Sequence, residues 1–186
     1  GDLPAALKAF KDSLAIAQRL AASDPTNAGW QRDLFVSFNK IGDVLSAQGD
    51  LPAALKAFKD SLAIAQHLTA ADPTNAGWQH DLSISFEKIG NVLSAQGDLP
   101  AALKVFKDSL AIRKRLAESD PTNTTWQRDL AVSFVKLATL SEKNGSPDAH
   151  DWWQKAYDKL SEMKQRGILL PTDEPYLEQI RQMLGH

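Results

Sequence analysis

Four histidines, His67, His80, His150 and His186, are the side chains best suited to hold a metal or move a proton near neutral pH. They are dispersed. No two stand four residues apart, and none has a carboxylate at an offset that would complete a metal site on one helix face. The chain has no cysteine, which excludes disulfides, thiolate nucleophiles and cysteine-ligated metals. It has no GxSxG elbow, P-loop or dinucleotide fingerprint. Carboxylates are numerous, but they recur in copied surface contexts, and a catalytic pair is not normally duplicated unchanged. The reading is therefore a protein that is not an enzyme and needs no cofactor or metal. What the spacing does offer is recognition: Lys40, Lys88 and Lys136 form a row of cations 48 residues apart.

That spacing belongs to the whole chain. GDLPAALKAFKDSLAIA starts at Gly1 and again at Gly49, and a near-copy with one Ala→Val change starts at Gly97. The units are 1–48, 49–96 and 97–144, with a degenerate stretch over 145–186, together read as one domain. With 43% hydrophobic and 24% charged residues, the composition suits a folded protein with a real core. A net charge of -2 points to no nucleic-acid partner and no anionic membrane. No apolar run approaches spanning length and no signal peptide is visible, so the location is open, with the cytoplasm favoured. Because the chain begins in mid-repeat without methionine, a piece of a longer protein is expected.

Each unit reads as two helices. From Leu51 to Ala71 the sequence is rich in Ala, Leu and Lys, with Pro52 in the first turn and Asp50 as N-cap. Ala54, Phe58, Ser61, Leu62 and Ala65 share one face. Asp72-Pro73-Thr74-Asn75 breaks that helix, and Thr74 or Asn75 caps the next, over about 76–95. Trp78, Leu82, Phe86, Ile89 and Leu93 form its apolar stripe, and Gly97 closes it in a left-handed cap. No segment alternates with a period of two, so no sheet is expected.

These features resemble the tetratricopeptide repeat. Phe38, Ile41, Gly42, Leu45, Gly49, Asp50, Ala54, Phe58 and Ser61 match its pattern in register, and so do Phe86, Ile89, Gly90, Leu93, Gly97, Asp98, Ala102, Phe106 and Ser109. Phe134, Leu137, Ala138, Ala149, Trp153 and Ala156 continue it, so the likeness spans about 27–165. The period is 48 rather than 34, so both helices gain about seven residues, roughly two turns or 10.5 Å each. Whole turns keep the same faces together. Trp30, Trp78 and Trp126 lie in the added turns and are expected to pack between them. The resemblance implies an all-α fold: a right-handed superhelical solenoid of antiparallel helix pairs, here with a C-terminal capping helix.

The resemblance also implies a concave face lined by the first helix of each pair, helix A. The first two units differ at eight positions, and Arg32, Val36, Asn39 and Asp43 lie on one stripe of helix A, opposite His80, Ile84, Glu87 and Asn91. In the third unit the stripe reads Arg128, Val132, Val135 and Thr139. The exposed face of the second helix, helix B, hardly drifts. These positions, with Lys40, Lys88 and Lys136, are the expected partner-binding residues. Five cations stand there against Asp43 and Glu87, which would favour an acidic or carboxylate-bearing peptide unless Asp33, Asp81 and Asp129 turn inward. Some members clamp a terminal carboxylate with Lys, Asn and Arg. Asn39 has the right type, but Glu87 and Val135 replace others of that set, so no clamp is carried over.

The ends differ. Residues 148–166 read as a last helix B, and Glu174 to Leu184 as a closing helix with Tyr176, Ile180 and Met183 on its apolar face. At the start, Ala6, Phe10, Leu14 and Ala17 would be uncovered on one side, which predicts self-association there or further repeats upstream. The function expected is a protein–protein interaction scaffold holding a peptide or partner helix on the concave face. The alternative is a structural or regulatory arm of a larger signalling or effector protein, an arrangement the resemblance associates with bacterial chains.

Overall fold

The computed structural model describes residues 2–185; Gly1 and His186 lie outside the described residues. The elements are α1 (Leu3–Ser23), α2 (Ala28–Ala47), α3 (Leu51–Ala71), α4 (Ala76–Gln96), α5 (Leu99–Ser119), α6 (Thr124–Lys143), α7 (Ala149–Gln165) and α8 (Glu174–Leu184), with a 3-10 turn at Pro171–Asp173 before α8. Among the described residues there is no strand. Helices A and B of the repeats are 20 or 21 residues long, as two extra turns require.

The starts of α1 to α6 are written in the sequence. The carboxylates of Asp2, Asp50 and Asp98 accept from the N–H of Ala5, Ala53 and Ala101 at 3.0, 3.1 and 3.1 Å. Asn27, Asn75 and Asn123 do the same for Trp30, Trp78 and Trp126 at 3.1, 3.1 and 3.2 Å. Each such cap is worth about 1 kcal/mol. Thr74 is not the cap; its hydroxyl and N–H donate to Asp72 at 2.7 and 3.0 Å. Those two bonds, the hydroxyl's first, hold the Asp72 carboxyl below the usual carboxylate range, and Thr26 and Thr122 do likewise for Asp24 and Asp120.

The chain falls into two compact units, Gly1–Ala102 and Leu103–His186. In the first, α1 to α4 pack each against the next, and turns of three or four residues make neighbours antiparallel. Its core holds Phe35, Ile41, Val44, Ala54, Phe58, Ala65 and Leu68. Serines sit at the tightest places: Ser61, Ser83 and Ser85 are all fully buried. The Ser61 hydroxyl donates to the Phe58 carbonyl at 2.9 Å and lies 3.5 Å from both Asn39 Oδ1 on α2 and Ser85 Oγ on α4. Small side chains let three helices meet there, and each hydroxyl is satisfied by a carbonyl about one turn back.

Phe58 lies directly over Gly42, where an added Cβ would stand 2.5 Å from the ring. Alanine would gain about 1 kcal/mol of helix propensity. Overpacking a core costs about 1–3 kcal/mol, and Phe58, only 1% exposed, would have to shift its whole ring to make room. Gly42→Ala is therefore expected to lower the thermal midpoint, and an unchanged or raised midpoint would show that the ring gives way.

In the second unit α6 packs on α7, and α8 closes over α7. Ala131, Ala138, Trp153, Leu160, Met163, Leu177 and Ile180 form its buried cluster. The closing helix is rotated from its expected setting: Leu177, Ile180 and Leu184 turn inward, while Tyr176 and Met183 are 38% and 50% exposed. The cause lies in its approach. Asp173 does not cap α8 but is held by Arg128, so the first turn is pinned to α6 before the helix begins. Trp152 stacks on Phe134 with ring centroids 6.2 Å apart.

Candidate functional site

In the first unit the helix A stripe is laced together across one repeat. Arg32 on α2 donates through Nε to Asp81 Oδ2 on α4 at 2.8 Å, and through Nη2 to Oδ1 at 3.4 Å. Asp81, inward-facing and 3% exposed, raises the pKa of Arg32, chiefly through that hydrogen bond. Lys88 on α4 reaches back to Asp43 on α2 at 2.6 Å and lies over the Phe58 ring, 5.9 Å from its centroid. Asp43, Lys88 and Asn91 line a hollow of about 250 Å³ with Ser46, Leu51, Phe58, Val92 and Ala95. The Ser46 hydroxyl is buried there without a hydrogen-bond partner.

The remaining first-unit residues spread out. Val36 and Lys40 are exposed, and His80, Ile84 and Glu87 are half-buried. Asn39 departs from its expected groove-facing place. It is 9% exposed, its amide donates to the Phe35 carbonyl at 3.0 Å and its oxygen faces Ser61, so it serves the helix contact.

In the second unit Arg128 makes two bonds to Asp173, from Nε at 2.6 Å and Nη2 at 2.9 Å. The pair raises the pKa of Arg128. Arg128, Val132, Val135 and Lys136 then share a hollow of about 210 Å³ with Ala131, Leu160, Asp173 and Tyr176. Burial pushes the Tyr176 hydroxyl pKa up. Thr139 is exposed and outside this hollow. Four side chains chosen from the sequence are thus brought together with Tyr176, which the sequence had assigned to the core.

The expected surplus of positive charge is mostly spent. Arg32, Lys88 and Arg128 each hold an aspartate of this chain. Lys40 and Lys136 form no ion pair among the described residues. Two buried polar groups escaped sequence reasoning. Arg113, 3% exposed, donates to the Asp129 carbonyl and Ser133 Oγ, both at 3.3 Å. Gln127, 2% exposed, donates to the Ala117 carbonyl at 2.8 Å. The signal for Arg113 was its place in the copies, where Ala17 and Ala65 occupy an otherwise constant face.

At the start of the chain, Ala17 is buried at 5% and Ala6, Phe10 and Leu14 are half-buried, because α2 covers that side of α1. The open stripe lies beside the one expected, at Ala9, Ser13, Ile16 and Leu20.

A family model described as tetratricopeptide repeat matches residues 36–72 and 85–122, each stretch running from within a helix A through the following helix B. The two matched stretches are repeats of the tetratricopeptide type. Among solved structures it resembles BtubC (BKLC) from P. vanneervenii, at 16% identity and a TM-score of 0.64 over 88% of this chain and 59% of that one. It thus spans about three-fifths of that relative's length. It also resembles a Podosopora anserina protein assigned as a kinesin light chain with nearly identical TPR-like repeats, at 16% identity and a TM-score of 0.51 over 98% of this chain and 86% of that one. At such identities the likeness speaks for fold alone. No curated protein matches the chain in sequence. Nothing in the repeats or these neighbours points to catalysis. Among the described residues no cluster of His, Asp and Glu could hold a metal, and no helix is long and apolar enough to cross a membrane.

Proposed function

We propose that this tetratricopeptide-type chain is a protein-interaction scaffold whose helix A faces hold a peptide or partner helix. The observation that carries the reading is the hollow of about 210 Å³ in the second unit. Its floor is apolar, from Ala131, Val132, Val135, Leu160 and Tyr176, and Lys136 stands at its edge without an acidic partner. A site of that kind accepts an apolar side chain and offers one charge to orient it. With Arg32, Lys88 and Arg128 already neutralised, a strongly acidic ligand is disfavoured relative to an amphipathic one.

Selection of a displayed random-peptide library on the chain tests this. The peptides recovered should bind Val132→Asp at least about ten-fold more weakly, a loss of about 1.4 kcal/mol. Lys136→Ala should weaken them less, by no more than about five-fold, since an exposed ion pair is worth about 1 kcal/mol at most. Lys8→Ala, on the outer face of α1, should change nothing. Peptides indifferent to both helix A substitutions would remove the function from this face.

A further inference from the structure

Residues 1–18 and 49–66 are identical, so α1 and α3 present the same side chains over most of their length. Their burial differs along one stripe. Ala9, Ser13, Ile16 and Leu20 are exposed on α1, whereas Ala57, Ser61 and Leu68 are buried on α3 and Ile64 is half-buried. Ile16 and Leu20 are 52% and 38% exposed, against 3% for Leu68. Phe10 is half-buried where Phe58 is 1% exposed. The helix that makes the difference is α2. It packs on α3 from the side that α1 leaves open, placing Gly42 under the Phe58 ring and Asn39 Oδ1 3.5 Å from Ser61.

The chain therefore contains the complement of its own open surface. We infer that the Ala9–Leu20 stripe of α1 is a docking surface for a partner helix with the chemistry of α2. That helix carries a glycine to receive the Phe10 ring, a polar side chain three residues earlier to meet Ser13, and an apolar face against Ile16 and Leu20. An intact second copy does not supply it, because the matching face of α2 is already covered by α3. The docking reproduces an interface that this fold makes with the same residues forty-eight positions on.

The probe is a fluorescein-labelled peptide with the sequence of residues 28–49, titrated against the whole chain by anisotropy. Isolated helices of this length are marginal in water, so binding should also add helix in far-UV circular dichroism. Saturable binding is expected. Ile16→Glu, a change at an exposed position, should weaken it at least about ten-fold. A peptide carrying Gly42→Leu, a better helix former that fills the space of the ring, should fail to bind. Three results would overturn the inference: no saturable binding up to the solubility limit, equal affinity for Ile16→Glu, or a dimer that Ile16→Glu dissolves and excess peptide does not. The last would assign the stripe to a second copy.

Discussion

Phe58→Ala is expected to cost about 3–5 kcal/mol of stability, the range for removing a fully enclosed aromatic ring. Phe10→Ala, the same change inside an identical stretch of sequence, should cost no more than about 1–2 kcal/mol, because the ring is already partly in water. Local propensity, capping and composition are the same at both sites, so the difference isolates what a covering helix contributes. At Phe58 that cover is α2, with Gly42 against the ring on one side and Lys88 approaching from α4. In a repeat array stability is a sum of unit and neighbour terms, so the loss at Phe10 also stays local to a helix with one neighbour fewer. Urea titration of both variants, followed by far-UV circular dichroism, measures the contrast. Equal costs would mean that α1 is covered in solution.

The same contrast explains what could be read from the sequence. Helix limits were legible because they depend on residues close together in the chain: Asp50 and Pro52 open α3, Asn75 caps α4, and Gly97 ends it at a φ of 85°. The apolar face of α3 was legible for the same reason, through Ala54, Phe58 and Ala65. The family likeness followed from those faces. What a single period does not reveal is which side of a helix its neighbours leave open. Hence the exposed stripe on α1 lies beside Ala6, Phe10, Leu14 and Ala17 rather than on them. Hence, too, α8 shows Tyr176 and Met183 to solvent, since its phase is set by Arg128 holding Asp173, far away in sequence.

The helix A stripe shows a second limit. Arg32, Asp43 and Lys88 vary between copies or form a row, and in the sequence both patterns suggest ligand recognition. The structure gives them work within the fold. Arg32 and Asp81 are 49 residues apart, one repeat plus one, and Arg128 meets Asp173 at 45. A charge on one helix A is thus answered one unit further on. Asn39 lies under the surface beside Ser61 and serves the helix contact. The proposed function therefore rests on the apolar positions and on the lysine at the edge, in the hollow beside Val132 and Val135.

The Arg32–Asp81 pair should prove strongly asymmetric. The arginine side chain is 56% exposed and the aspartate 5%. Arg32→Met keeps much of the apolar stem but strands a buried carboxylate, and breaking such a pair from that side costs about 3–5 kcal/mol. Asp81→Asn leaves only an arginine that can turn to water, and an amide oxygen still placed to accept from it, so the loss should be about 1 kcal/mol. The two changes together should be less damaging than Arg32→Met alone, because the second removes the charge that the first leaves unanswered. A double-mutant cycle by chemical denaturation reads all three quantities. If Arg32→Met is as mild as Asp81→Asn, water reaches Asp81 and the ladder between helices A is a surface feature. If the double variant recovers stability, the buried carboxylate is what makes α2 and α4 keep their register, and Arg32 belongs to the architecture rather than to the partner.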